Sequence, residues 1–147
     1  MAYISNSDIA ERLGATTYVQ LADDDGDGVA DVGVVDEARL GAEGELDSYL
    51  ARRYQLPLEL TGHPELANLL ASVALDLATY RLRLRRPPVS EDDRAHFERT
   101  VSWLEAVAAG RVHLPSVAAL TSTNVQGIAA DSFGESRLLS HDEFTDF

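Results

Sequence analysis

HPELANLLASVALDLATYRLRLRR, residues 63–86, is the stretch from which the architecture follows. Leu66, Leu69, Leu70, Val73, Leu77, Tyr80 and Leu84 recur at three- and four-residue steps, the period of one helical face. Leu75, Ala78 and Leu82 widen that stripe, and a helix apolar on more than one side is covered on more than one side. Pro64 stands just inside the start, where a missing N–H costs nothing. Pro87-Pro88 stops the segment, because proline disfavours helix at the residue before it. The spacing predicts the central helix of a small all-α domain.

Downstream, Ser90 with Asp93 is a helix-capping signature, and Glu91 and Asp92 add negative charge to the first turn. Phe97, Val101, Leu104 and Ala108 continue at helical steps after Arg94, with Trp103 beside the seam and Gly110 as the stop. Upstream, Val35, Ala38, Ala42, Leu46, Tyr49, Leu50 and Tyr54 share one helical face, closed by Pro57. Gly41 and Gly44 weaken that helix by about 1 kcal/mol each relative to Ala, and they leave room for a second helix to come close. Ser5 with Asp8 resembles a capping box, Ile9 and Leu13 carry a short helix to Gly14, and residues 15–22 add two further turns. The expected fold is a small helical bundle of four to five helices over residues 1–115. After Pro115 the period dissolves into Ser, Thr, Gly and Asp, and residues 116–147 are expected to form an extended C-terminal arm.

At 147 residues and 45% hydrophobic the chain is one domain with enough apolar side chains for a core. It has no cysteine, which excludes disulfides, Cys-zinc sites and thiol catalysis. No apolar run is long enough to span a bilayer, and MAYISNSDIAE does not read as a signal peptide, so folding in the cytoplasm without a membrane partner is expected. The formal net charge is −13, with 13 acids against 4 arginines in residues 1–60. Such a chain is poorly suited to wrapping nucleic acid. Acidic surface suits a basic protein partner or the wall of a channel through which DNA must slide, and it also suits a protein that is merely soluble.

Catalytic constellations are scarce. His63, His96, His113 and His141 lie in four separate segments, and no G-x-S-x-G, P-loop or G-x-G-x-x-G run is present. The expectation is a protein that is not an enzyme. Asp76 is the one acid inside the apolar helix, and pairing with Tyr80 or Arg83 is the expected way to keep it there.

The stretch DDDGDGVADVG, residues 23–33, has the most recognisable chemistry. Asp23, Asp25 and Asp27 match positions 1, 3 and 5 of a twelve-residue calcium loop, Gly28 the turn, the Val29 carbonyl position 7 and Asp31 position 9. Position 12 is Val34, where a bidentate Glu belongs, and Asp36 comes two residues late. The candidate calcium set is therefore Asp23, Asp25, Asp27, Val29, Asp31 and Asp36. The alternative is an Asp/Gly turn whose side chains cap the next helix. A calcium-binding regulatory or interaction module thus stays open. A small metal-dependent hydrolase has less support, because no second His/Asp cluster accompanies the loop.

The order of elements resembles the small head–tail connector, or head-completion, proteins of long-tailed bacteriophages, in the form found in Mu-like phages. The resemblance rests on MAYISNSDIAERLG (1–14), LADDDGDGVADVGVVDEARLGAEGELDSYLARRYQLPL (21–58), DLATYRLR (76–83) and the terminal SRLLSHDEFTDF (136–147). Glu143 and Asp146 depart from the more basic ending usual there. The resemblance implies an α-helical protomer in a twelve-fold ring at the virion neck, assembled in the bacterial host cytoplasm. Its implied partners are the portal protein, neighbouring copies, and a tail-side stopper or terminator, with DNA passing through unbound. Arg81, Arg83 and Arg85 are candidate partner contacts beside their simpler role at a helix C-terminus. In the arm, Phe144 and Phe147 are the expected anchors, with Leu138 and the charged Arg137 beside them.

Overall fold

The computed structural model describes residues 2–115, and within them five helices and no strand. These are α1 (Asn6–Leu13), α2 (Ala15–Ala22), α3 (Val32–Leu50), α4 (Pro64–Leu84) and α5 (Glu91–Ala108). The expected all-α bundle is what the chain forms. The arm, residues 116–147, lies outside the described residues.

Local signals explain the boundaries. Ser5 Oγ accepts from the Asp8 amide at 3.3 Å while Asp8 Oδ2 accepts from the Ser5 amide at 2.7 Å, which closes the capping box of α1. Gly14, at φ +79, breaks α1 from α2 in a conformation that a side chain would strain. Ser90 Oγ accepts from the Asp93 amide at 3.1 Å and starts α5.

The central helix α4 packs against all four others. Its buried residues are Leu66, Leu70, Val73, Ala74, Leu77, Ala78 and Leu82. Two predicted members of the stripe are exposed, Leu69 at 37% and Leu84 at 52%, and Leu75 is half-buried. Leu84 is in angular register with Leu66, yet it borders an open groove with Val34, Glu37 and Ala38 rather than a covering helix. Tyr80 is only half-buried and stacks on Phe97 of α5, with ring centroids 4.1 Å apart. On α3, Val35, Ala38, Ala42, Leu46 and Leu50 are buried as the period predicts.

Both ends of the described chain are tied down, the N-terminal strip to α3 and the C-terminal end to the turn that follows it. Tyr54, 1% exposed, accepts a 2.9 Å hydrogen bond on its hydroxyl from the Leu114 amide. Glu43, 4% exposed, accepts from the Tyr3 amide at 2.8 Å and the Ile4 amide at 3.2 Å, and Arg39 stands 3.5 Å from its other oxygen. None of the described helices is long and apolar enough to cross a membrane.

Candidate functional surface: the acidic loop and the basic end of the central helix

The acidic loop leaves α2 at Asp23 and enters α3 at Val32. Its own carboxylates fold it. Asp23 takes the Gly26 amide on one oxygen at 2.7 Å and the Gly28 amide on the other at 2.9 Å. Asp25 accepts from the Asp27 amide at 3.1 Å, and Asp27 from the Val29 amide at 2.8 Å. Gly26 and Gly28, at φ +78 and +85, supply the left-handed turns that point these amides inward.

The arrangement separates the members of the predicted calcium set. Asp23, Asp25 and Asp27 each bring an oxygen within 4.8 Å of the others, the chemistry of a hard-cation ligand group. Asp31 Oδ2 accepts from the Asp24 amide at 2.8 Å instead, and it makes no side-chain cap on α3. Val29 is exposed, and Val34 offers no carboxylate. Asp36 does not join the loop: it accepts from Asn6 Nδ2 at 2.9 Å and pairs with Arg39 at 3.2 Å. The reason is helical geometry, since α3 already begins at Val32 and its second turn faces α1. The turn is therefore closed by side-chain-to-amide bonds, with three carboxylates converging rather than six ligands.

Charge in the loop is unevenly compensated. Hydrogen bonds from the Gly28 amide first, then Gly26, hold the Asp23 carboxyl below its ordinary range. For Asp25 the Asp27 amide pulls downward, but repulsion from the Asp27, Asp31 and Asp23 carboxylates and some desolvation outweigh it and push the group up.

The cations that answer the loop come from the far end of α4. Arg85 pairs with Asp24 at 2.6 Å and donates to the Leu21 carbonyl at 3.0 Å. Arg86 reaches Asp24 at 3.2 Å and the Asp23 carbonyl at 2.8 Å. Arg81 pairs with Glu45 of α3 at 2.8 Å, and Arg83 with Asp93 of α5 at 3.2 Å. The basic run thus finds its acids within the same chain, on three different elements. Arg81 lies flat across α3 because Gly41 has no side chain there: a Cβ would stand 2.9 Å from its Nη1. The second glycine, Gly44, has nothing within 4 Å, so the expected close approach happens at one glycine, and to a guanidinium.

Asp76 is paired, as expected of an acid in an apolar helix, but with neither Tyr80 nor Arg83. Arg12 of α1 contacts one oxygen at 2.5 Å and His96 Nε2 stands 3.1 Å from the other. Loop acids and α4 cations are drawn together, whereas Arg137, Leu138, Phe144 and Phe147 lie outside the described residues. Sequence reading passed over Glu43 and Asp24. The signal for Glu43 was its place one turn after Arg39 and next to the buried Ala42.

No curated protein matches this chain. The family model described as Bacteriophage Mu, Gp36 matches residues 3–130, a span that takes in every described helix, the acidic loop and the basic end of α4. The chain therefore belongs to the Bacteriophage Mu Gp36 family of phage proteins.

Proposed function

We propose that this phage protein is a structural subunit of virion assembly, a head–tail adaptor that docks beneath the portal as a ring of identical copies and joins the DNA-filled head to the tail. The observation that carries the reading is the family match across residues 3–130. The helical body supports it: α4 packs against all four other described helices, and ion pairs from its C-terminal end reach α3, α5 and the acidic loop, which suits a part that transmits load rather than one that opens around a substrate. The acidic net charge supports passage of DNA without retention. In this reading the protein has no catalytic role. Residues 131–147, with Phe144 and Phe147 as anchors and Arg137 as a charged contact, supply attachment to the portal or to an adjacent copy.

The test uses heads that carry portal but were assembled without this protein. Added wild-type protein is expected to restore tail joining, and protein lacking residues 131–147 is expected to keep its helical content and fail. Heads that accept tails equally well without the protein would remove the adaptor role.

A further inference from the structure

We infer that the two ends of α3 are the two halves of one contact between copies of this chain, the acidic loop of one copy meeting an arginine cluster on the next. It rests on the adaptor reading in one respect, that a ring of identical subunits needs a head-to-tail contact. The helix has 19 residues, so its ends are separated by about 28 Å at 1.5 Å per residue.

At the first end, Asp25, Asp27 and Asp31 meet no arginine among the described residues; only Asp24 does. Val29 and Val32, 63% and 66% exposed, stand among these acids as an apolar tip with a charged rim.

At the other end stand Arg52, Arg53 and Arg111. Arg53 rests against Gly110, its Cζ 3.1 Å from where a Cβ would be, which places it beside Arg111. Arg52 lies over the Tyr49 ring. Among the described residues, Arg12, Arg39, Arg81, Arg83, Arg85 and Arg86 have carboxylate partners, whereas these three, like Arg94 and Arg99 of α5, have none; these three stand together at one end of the fold. Arg53 Nε is also buried with no acceptor. Arg52 and Arg111 are exposed, so an incoming carboxylate can meet them, most effectively in the fork of a guanidinium.

Among the described residues, one end of α3 thus carries acids and the other arginines with no partner of opposite charge. Such ends are complementary between copies and not within one. A contact of this kind is heterologous and closes into a ring when its rotation permits. Single exposed ion pairs are weak, so the contact gains strength from repetition around the ring and loses it in high salt.

The experiment is sedimentation velocity of the full-length chain over a concentration series at low salt, with chelator present. Wild type is expected to self-associate. The reversal R52E/R53E/R111E and the reversal D25K/D27K are each expected to move association to about tenfold higher concentration or more, with unchanged helical circular dichroism. An equimolar mixture of the two reversed proteins is expected to assemble again, because each reversed end then meets its complement. If a glutamate at 53 disturbs folding, R52Q/R53Q/R111Q replaces it with the same expected direction. A mixture that stays monomeric, a wild type that stays monomeric, or reversals that assemble like wild type would each overturn the contact. Reversals that assemble normally leave the adaptor reading standing, since that reading is decided by tail joining to portal-bearing heads.

Discussion

Arg85 Nη2 lies 2.6 Å from Asp24 Oδ2, so the last turn of the central helix holds the start of the acidic loop in place. The same side chain donates to the Leu21 carbonyl, and Arg86 donates to the Asp23 carbonyl. Carbonyls at the end of α2, which lack partners within the helix, are thereby satisfied by side chains from α4.

Replacing Arg85 and Arg86 together with Gln is expected to lower unfolding free energy by about 1–2 kcal/mol, because partly exposed pairs contribute only about 0.2–1 kcal/mol each. The effect should be local. Amide hydrogen exchange over residues 23–31 is expected to quicken while the amides of α4 and α5 keep their protection. Unchanged exchange in the loop would show that its own carboxylate-to-amide bonds suffice.

Glu43 fixes the N-terminal strip to α3 through two amides. Glu43→Ala leaves both without an acceptor at a cost of about 1–3 kcal/mol for a buried one. Denaturant unfolding is expected to show that loss, with Glu43→Gln retaining roughly half of the stabilisation because its carbonyl still accepts. Equal stability of both variants and wild type would remove Glu43 from the scaffold.

Tyr3 predicts an alkaline limb. Burial first, then the hydrogen bond to Asp47 and the charges of Asp47 and Glu43, raise its hydroxyl above the ordinary tyrosine value. Burial and the Asp36 charge push Tyr18 the same way. A group whose folded value is raised holds more protons folded than unfolded above pH of about 10, so stability is full below that pH and falls as it rises further. Tyr3→Phe removes the 2.6 Å bond to Asp47, lowers stability at neutral pH, and is expected to flatten the decline between about pH 10 and 12. A decline of the same slope in the variant would assign it to other groups.

The loop's amides are bonded to its own carboxylates, and these bonds are expected to hold its shape without a cation. A chelator is expected to leave the melting temperature unchanged from that in calcium-free buffer. D25N/D27N, which keeps acceptor oxygens and removes repulsion, is expected to melt at or slightly above the wild-type temperature. A rise in wild-type melting temperature at millimolar calcium that D25N/D27N erases would instead support the calcium-binding module.

The helices were legible because their signals are local. Ser5, Gly14, Pro64, Ser90 and Gly110 mark their ends by chemistry that acts within a turn. The buried face of α3 was legible from its period as far as Leu50 and Tyr54. The face of α4 was legible for Leu66, Leu70, Val73, Leu77, Ala78 and Leu82 but not for Leu84, which has the right angle but no neighbour over it, a matter only tertiary packing decides. The site was legible in part. The convergence of Asp23, Asp25 and Asp27 follows from their alternate spacing, whereas Asp36 lies close in sequence and is turned toward Asn6 by the onset of helix. The partners of Arg81, Arg83, Arg85 and Asp76 lie 10 to 64 residues away, at separations no local pattern encodes.

The adaptor reading is tested most directly by the mass of the complex formed when the full-length protein is mixed with purified portal of the same phage. A stable assembly containing equal numbers of the two subunits is expected. Portal and protein that remain separate at every concentration and salt condition, with the protein monomeric, would contradict it.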